Sequence, residues 1–159
     1  MDNIEVYIEV QQNSNIKYES KNGKLIFDRV LHTPMTYPYN YGYIPGTLAN
    51  DGDELDVMVI TNYALLPGCY VKTKLIGVLY TKDENGLDEK ILAVPITKVD
   101  PYSKNINNIS DLKQSQLDKI HFFFQNYKKL EPNKCVEVYE FGNSDDAYKL
   151  YNLYKNDGK

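Results

Sequence analysis

The stretch DGDELDVMVI at residues 51–60 places three aspartates directly before an apolar run, and the rest of the chain is organised around it. Alternate side chains of extended backbone share a face, so Asp51 and Asp53 are expected to point the same way. Gly52 permits a tight bend or a bulge, through which Asp56 can reach the same cavity. Carboxylates held this close raise one another's pKa unless a cation lies between them. Because every ligand on offer is an oxygen, the expected cation is Mg2+ or, in its place, Mn2+.

Two structures other than a Mg2+ site can be built from such a stretch: an acidic turn and a calcium-binding loop. A single Asp-Gly is most often an acidic turn that leads into a strand. A calcium-binding EF-hand loop needs Asp or Asn at position 5, Gly at position 6 and Glu at position 12. Counted from Asp51, those positions hold Leu55, Asp56 and Asn62, so the spacing excludes an EF-hand.

Length and composition indicate an ordinary globular protein. The 159 residues are 42% hydrophobic and 25% charged, which predicts one domain spanning residues 1–159. The net charge of -4 argues against a general binder of nucleic acid or of anionic membranes. An anionic substrate remains compatible, since bound metal ions reverse the local sign of charge.

Cysteine usage and the apolar runs predict a cytoplasmic protein. Cys69 and Cys135 lie far apart without metal-ligand spacing, and we expect buried thiols in a reducing compartment. The first ten residues lack a basic-then-apolar signal pattern. No apolar run approaches the roughly 18 residues that a membrane span needs.

Alternation of apolar and polar residues predicts several strands. Asn22-Gly23 is the strongest short hairpin signal in the chain and joins two of them. The predicted strands cover residues 4–10, 16–19, 25–30, 55–61, 69–80, 90–97 and 135–141. Residues 31–50 show no periodicity and are predicted to form a loop rich in tyrosine.

Helical spacing appears only near the C-terminus. Ser110 is predicted as the N-cap of a helix whose apolar positions run to Leu130, and residues 144–146 are predicted to cap a shorter one. Without alternation of strands and helices, the sheet is expected to be antiparallel and to close. The predicted fold is mainly β with α: a small closed antiparallel barrel with two helices in the C-terminal half.

A second acidic stretch, DENGLDEK at residues 83–90, resembles the first because it leads directly into an apolar strand. Taken alone it is typical of a charged hairpin loop. Two such loops close together in sequence favour a paired carboxylate cage.

Arg29 is the only arginine among 18 basic residues, which fits a site where a planar bidentate fork is required. Taken singly, Lys17, Glu19 and Arg29 are also typical of solvated hairpin positions.

Several short motifs, in order, resemble the soluble family I inorganic pyrophosphatases of bacterial type. They include IKYE at residues 16–19, FDR at 27–29, NYGY at 40–43, DGDELDV at 51–57 and AVP at 93–95. The resemblance covers about residues 5–147. It implies an OB-like five-stranded barrel, Mg2+ as cofactor, hydrolysis of pyrophosphate to two phosphates, and assembly into a homohexamer.

The resemblance also implies site residues, carried over position by position. The direct metal ligands would be Asp51, Asp56, Asp83 and Asp88. Acidic residues around a further, substrate-associated metal ion would be Glu9 and Glu19. The phosphate-binding side chains would be Lys17, Arg29, Tyr41, Lys90, Tyr127 and Lys128. Asp53 resembles the general base that takes a proton from a metal-activated water.

One departure lies beside the site: Glu54 stands where bacterial members usually have proline. It is expected to point away from the cavity, because its neighbours in an extended segment face inward.

Two functions other than pyrophosphate hydrolysis were considered. An OB-like barrel can bind nucleic acid with aromatic residues and a basic groove, but the acidic balance and the two carboxylate loops oppose that function. The same metal cage could hydrolyse another phosphoanhydride such as a nucleotide. The chain lacks a GxxxxGK[ST] phosphate loop, which disfavours this second alternative.

Overall fold

Most alternating segments of the sequence form one seven-stranded sheet, and residues 16–30 form a separate two-stranded sheet. The computed structural model describes residues 3–156. In chain order the elements are β1 (Ile4–Val10), β2 (Ile16–Lys21), β3 (Lys24–Val30), β4 (Asn40–Ile44), β5 (Leu55–Val59), β6 (Tyr70–Asp83), β7 (Gly86–Leu87), β8 (Lys90–Pro95), α1 (Gln114–Asn126), β9 (Val136–Gly142) and α2 (Ser144–Tyr154). Two single 3-10 turns, Pro101–Ser103 and Ile109–Asp111, lie between β8 and α1.

Five strands close into a ring in the order β1-β4-β5-β8-β6, with β6 pairing back onto β1. This is the small OB-like barrel that was predicted. Its strands pair antiparallel except for β5 and β8, which run parallel, so the expectation of an all-antiparallel sheet is wrong at one pair. A ring with an odd number of strands cannot alternate direction all the way round, and one parallel pair is unavoidable.

Two apolar clusters lie on either side of the central strands. One joins Met58 and Leu92 to Phe123 and Phe124 of α1. The other joins barrel residues to Ala147 of α2. Strand β8 is therefore buried along its whole length, and the barrel holds its ends in fixed positions.

Strand β4 lies within the segment predicted to be a loop, and that prediction is wrong for Asn40–Ile44. The strand pairs with β1 and β5. At Gly42 the backbones approach so closely that an added Cβ would lie 1.8 Å from the carbonyl oxygen of Tyr7. The alternation is hidden in the sequence because Gly42 has no side chain and the flanking tyrosines are amphipathic.

The helix boundaries differ from those predicted. Ser110 lies in a 3-10 turn capped by Asn108, and α1 begins only at Gln114. Leu130 was predicted to face inward, but α1 ends at Asn126 and the Leu130 side chain is 63% exposed.

The second helix begins at Ser144, within the segment that was predicted to cap it, and the capping residue is Asn143. The Asn143 side chain accepts a hydrogen bond from the Asp146 backbone at 3.0 Å, and the Asp146 carboxylate accepts one from the Asn143 backbone at 2.9 Å. This capping box fixes the start of α2. The residues of α2 that pack on the barrel include Ala147, Leu150, Tyr151 and Tyr154.

The predicted hairpin between β2 and β3 is confirmed. Asn22 and Gly23 have φ of 51° and 76°, the positive values that a two-residue type I′ turn requires.

The prediction for the cysteines is wrong: Cys69 is half-buried and Cys135 is exposed. Within residues 3–156 no helix is both long enough and apolar enough to span a membrane.

Candidate active site

One polar cavity of about 420 Å³ lies among the two acidic segments, the β2–β3 hairpin and the residues that follow α1. The structure brings all thirteen predicted site residues to its walls: Glu9, Lys17, Glu19, Arg29, Tyr41, Asp51, Asp53, Asp56, Asp83, Asp88, Lys90, Tyr127 and Lys128. They come from distant parts of the sequence, so the cavity is a product of the closed barrel.

The first acidic segment enters the cavity through a tight turn. Gly52 has φ of 86°, a left-handed conformation that favours glycine. The Asp53 backbone donates to Oδ1 of Asp51 at 3.0 Å, and the Ala49 backbone donates to the carbonyl of Asp53 at 2.7 Å. The bend that Gly52 permits is therefore present, while the expected extended arrangement of Asp51 and Asp53 is wrong.

Lys90 lies at the centre of the site with its side chain only 4% exposed. Its Nζ is 2.9 Å from Oδ2 of Asp56, 2.8 Å from Oδ2 of Asp88 and 2.7 Å from the Tyr41 hydroxyl. The parallel register of β5 and β8 pairs Asp56 with Lys90 directly. Burial alone would lower the pKa of Lys90, but Asp56, Tyr41 and Asp88 raise it well above its usual value. The ammonium group stays charged and joins the two acidic segments.

The second acidic segment is a hairpin between β6 and β7. Oδ1 of Asp83 accepts a hydrogen bond from the Asn85 backbone at 2.8 Å. The Asp88 backbone donates to the carbonyl of Thr81 at 2.9 Å, and the Thr81 hydroxyl donates to the carbonyl of Asp88. Burial by itself would raise the pKa of Asp88, but the Lys90 ammonium holds it below its ordinary value. Asp88 is thus an ionised carboxylate in the cavity wall.

The β2–β3 hairpin carries two cations as direct register partners, Lys17 and Arg29. Oδ2 of Asp28 lies 3.4 Å from the Lys17 Nζ and also accepts a hydrogen bond from the Arg29 guanidinium. On the other side of the guanidinium, its Nε lies 3.0 Å from Oε1 of the buried Glu131. Burial would lower the pKa of Arg29, and the carboxylates of Glu131 and Asp28 raise it instead. Arg29 is therefore oriented from both sides before any ligand arrives.

Glu19 of this hairpin and Glu9 of β1 form an acidic wall of the cavity. Oε2 of Glu9 accepts a hydrogen bond from the Ser20 backbone at 2.9 Å. Burial raises the pKa of Glu9 to about 7. A cation bound beside this carboxyl would favour its ionised form.

Aromatic side chains form the inner wall. Tyr127 is buried and stacks on Phe123 with ring centroids 4.8 Å apart. The Nζ of Lys128 lies 5.3 Å from the centre of the Tyr127 ring. Burial raises the pKa of Tyr41 well above its usual value, so its hydroxyl keeps its proton.

Sequence reasoning missed several residues that also line the cavity: Ser20, Lys21, Tyr37, Tyr43, Glu54, Glu84, Asn85 and Lys134. Tyr37 is fully buried, and its hydroxyl has no hydrogen-bond partner among residues 3–156. The density of tyrosines in residues 37–43 was the signal for it. The Nζ of Lys134 lies 3.4 Å from Oε2 of Glu84. No sequence pattern indicated Lys134, because tertiary packing alone places its loop. Glu54 was expected to point away; this is wrong because the backbone turns at Gly52.

The donor set of the cavity suits a hard divalent cation. Nine carboxylates and six basic side chains line it, an excess of three negative charges, and every candidate ligand atom is an oxygen. A ready-made cage is not formed: within residues 3–156 no three carboxylate, imidazole or thiol groups converge as a metal site. Lys90 and backbone N–H groups hold several of the carboxylates individually.

Comparisons with known proteins give one consistent answer. A family model described as inorganic pyrophosphatase matches residues 6–157. The inorganic pyrophosphatase of Nanoarchaeum equitans is 55% identical over 149 residues, covering 92% of this chain and 93% of that protein. The chain is also similar to the solved structure of the inorganic pyrophosphatase from Helicobacter pylori. That match has a TM-score of 0.94 and 46% identity over 96% of this chain and 91% of the other.

The inorganic pyrophosphatase from Thermus thermophilus gives a TM-score of 0.91 with 36% identity, covering 94% of this chain and 87% of that one. These matches confirm the resemblance drawn from the short motifs. The chain belongs to the inorganic pyrophosphatase family, whose members are enzymes that hydrolyse pyrophosphate.

Proposed function

We propose that this pyrophosphatase depends on Mg2+ and that Asp53 is the general base for the attacking water. The observation that carries the metal dependence is the charge of the cavity. Its nine carboxylates outnumber its six basic side chains, so the protein alone offers a net negative surface to a polyanionic substrate. Divalent cations reverse that sign locally.

The oxygen ligands proposed for Mg2+ are Asp51, Asp56, Asp83 and Asp88, with Glu9 and Glu19 around a further ion that accompanies the substrate. When bound, several Mg2+ ions would lower the pKa of a coordinated water from about 15.7 towards neutrality and would offset the charge of pyrophosphate. Mn2+ has the same preference for oxygen and is the proposed substitute.

The role proposed for Asp53 rests on its position between the proposed ligands Asp51 and Asp56 and on a carboxylate that has no other partner within residues 3–156. Its carboxylate is exposed and makes no hydrogen bond or ion pair with any residue between 3 and 156. By contrast, Lys90 binds Asp56 and Asp88, and the backbone N–H of Asn85 binds Asp83. A general base must reach its water and accept the proton. Asp53 is free to do so.

The basic and hydroxyl side chains bind the two phosphates. Arg29 can present guanidinium N–H groups as a planar fork, and Lys17 lies beside it. The Tyr41 hydroxyl accepts a hydrogen bond from Lys90 and donates one to the Asp56 carboxylate. A cation bound by Asp56 would release that proton for a phosphate oxygen. Tyr127, Lys90 and Lys128 complete the set, and together these groups stabilise the charge on the phosphates.

Phosphate release from pyrophosphate, with and without Mg2+ and with ATP as a competing substrate, tests this proposal. Release should require the divalent ion and should not occur from ATP. Equal release in excess chelator would refute the metal dependence. Release from ATP at a similar rate would favour a nucleotide phosphoanhydride as a substrate.

A homohexamer in the cytoplasm is the proposed form of the enzyme. Large apolar side chains remain exposed on separate surfaces, among them Phe27 at 59%, Phe122 at 60% and Leu153 at 72%, and an oligomer would cover some of them. Cys69 and Cys135 are free thiols, which fits a reducing compartment. Light scattering of the purified protein should give six times the chain mass of 18.4 kDa; a monomer mass at micromolar concentration would contradict the hexamer.

A further inference from the structure

The end of α2 is attached to the segment that leads into the first acidic turn. The carbonyl of Tyr154 accepts a hydrogen bond from the Leu48 backbone at 2.9 Å. The Asn156 backbone donates to the carbonyl of Gly46 at 2.7 Å, and Thr47 forms a β-bridge with Lys155. Residues 46–48 are therefore held against the C-terminal end of α2.

The side chain of Tyr154 extends this attachment to both acidic segments. Its hydroxyl accepts a hydrogen bond from Nδ2 of Asn50 at 2.9 Å and donates one to Oε2 of Glu89 at 3.2 Å. Asn50 directly precedes Asp51, and the buried Glu89 follows Asp88 directly. Burial and the Glu89 carboxylate raise the pKa of Tyr154 to about 12, so the hydroxyl keeps the proton that it donates.

This bridge lies behind the cavity, since Tyr154 is not among the residues that line it. The two acidic segments carry like charges that repel. Inside the cavity Lys90 links them at Asp56 and Asp88. Among residues 3–156, the Tyr154 hydroxyl supplies the side-chain link that joins Asn50 to Glu89 on the outer side.

We infer that Tyr154 is a positioning residue that sets the spacing of the two acidic segments and thereby the affinity of the site for Mg2+. The inference rests on the proposed function, in which both segments supply ligands to the same ions. Loss of the hydroxyl frees Asn50 and Glu89 to move apart while the ring keeps its packing against the barrel. Mg2+ must then order the segments itself, and it binds more weakly.

The same helix supplies a matched control. In the middle of α2, the Tyr148 hydroxyl accepts a hydrogen bond from the Leu75 backbone at 3.1 Å. Tyr148 packs against the same apolar cluster as Tyr154, but among residues 3–156 its hydroxyl makes no hydrogen bond to either acidic segment. Tyr148→Phe and Tyr154→Phe therefore make the same chemical change, one in the middle of α2 and one at its C-terminal end.

The experiment is calorimetric titration of the substrate-free wild-type, Tyr154→Phe and Tyr148→Phe proteins with Mg2+, together with the Mg2+ dependence of phosphate release. Tyr154→Phe should stay folded and bind Mg2+ about three- to tenfold more weakly, as expected for the loss of one or two hydrogen bonds. Tyr148→Phe should match the wild type in Mg2+ affinity, even where it lowers the melting temperature.

Asn50→Ala tests the bridge from its other end. It should weaken Mg2+ binding by less than Tyr154→Phe does, and the double variant should be no worse than Tyr154→Phe alone, because the bond it removes is already lost. Unchanged Mg2+ affinity in Tyr154→Phe, or an equal loss in Tyr148→Phe, would overturn the inference. If the wild type itself binds no Mg2+, the proposed function fails and this inference fails with it.

Discussion

Among single residues, the carboxylates of the cavity differ in what holds them: Lys90 binds Asp56 and Asp88, whereas the Asp53 carboxylate has no partner among residues 3–156. Asp53→Asn keeps the size of the side chain and removes its basicity. We expect kcat to fall by about 10²- to 10⁴-fold, the usual contribution of a general base, while the fold and Mg2+ binding persist. Steady-state kinetics and Mg2+ calorimetry measure these two effects.

The control for Asp53→Asn is Asp118→Asn, which removes an exposed carboxylate on α1 that pairs with Gln114 outside the cavity. Its kinetics should match the wild type. An Asp53→Asn enzyme with wild-type kcat would remove Asp53 from the mechanism.

Arg29 is held by two carboxylates on different sides of its guanidinium, Asp28 and Glu131. Lysine has the same charge but a single ammonium group, so Arg29→Lys cannot satisfy both carboxylates and also bind a phosphate oxygen. We expect the KM for pyrophosphate to rise by roughly tenfold, equivalent to about 1.4 kcal/mol. Lys24→Arg, an exposed change at the far end of the same hairpin, is the control. Equal KM values for Arg29→Lys and wild type would contradict this role.

Residue types and motif order were enough to predict the thirteen side chains that share the cavity. They were not enough for Glu54 or Cys135, because the orientation of Glu54 depends on the turn at Gly52, and Cys135 lies at the edge of a strand whose burial depends on its neighbours. The hydrogen bonds of Lys90 could not be predicted either, since they follow from the register between β5 and β8, which are far apart in sequence.

Among the structural elements, two glycines are required for different reasons. Gly23 has a left-handed backbone, and Gly42 lies where two strands approach closely. Gly23 has φ of 76° and open space around its Cα, whereas a Cβ on Gly42 would lie 1.8 Å from the Tyr7 carbonyl oxygen. Gly23→Ala should lower the free energy of unfolding by about 1–2 kcal/mol, the cost of a left-handed alanine. Gly42→Ala should lower it by more than about 4 kcal/mol or prevent folding, because β1 and β4 must separate.

Urea unfolding of both variants measures this difference, with equal m-values as the check that the same unfolding transition is observed. A smaller loss in Gly42→Ala than in Gly23→Ala would show that the close approach of β1 and β4 is not needed.

Elements with a local signal were predicted well, and those fixed by tertiary packing were not. The hairpin follows from Asn22-Gly23, whose turn type matches the twist of its strands. The start of α1 does not follow from Ser110, because Asn108 caps a 3-10 turn that ends before the helix begins. A capping residue alone does not distinguish these two structures.

For the molecule as a whole, the error in the predicted strand pairing is one of parity. A closed ring of five strands needs at least one parallel pair, and this barrel has it between β5 and β8. The closed barrel was predictable from the absence of alternating strands and helices, but the position of the parallel pair depends on the order of the strands around the ring, which no local sequence pattern indicates.

Also at this scale, the excess negative charge of the cavity predicts that Mg2+ stabilises the folded state. A ligand that binds only the folded protein adds about 2.7 kcal/mol to the free energy of unfolding at one hundred times its Kd. Thermal unfolding in Mg2+ should therefore occur at a higher temperature than in NaCl of matched ionic strength. Identical melting temperatures in the two salts would contradict a metal site among these carboxylates.

The parallel pairing of β5 with β8 has a consequence for synthesis on the ribosome. Asp56 emerges early, but its register partner Lys90 follows only after β6 has been made. The last cavity residues, up to Lys134, emerge later still. A nascent chain therefore carries an incomplete hydrolytic centre until Lys134 has been synthesised.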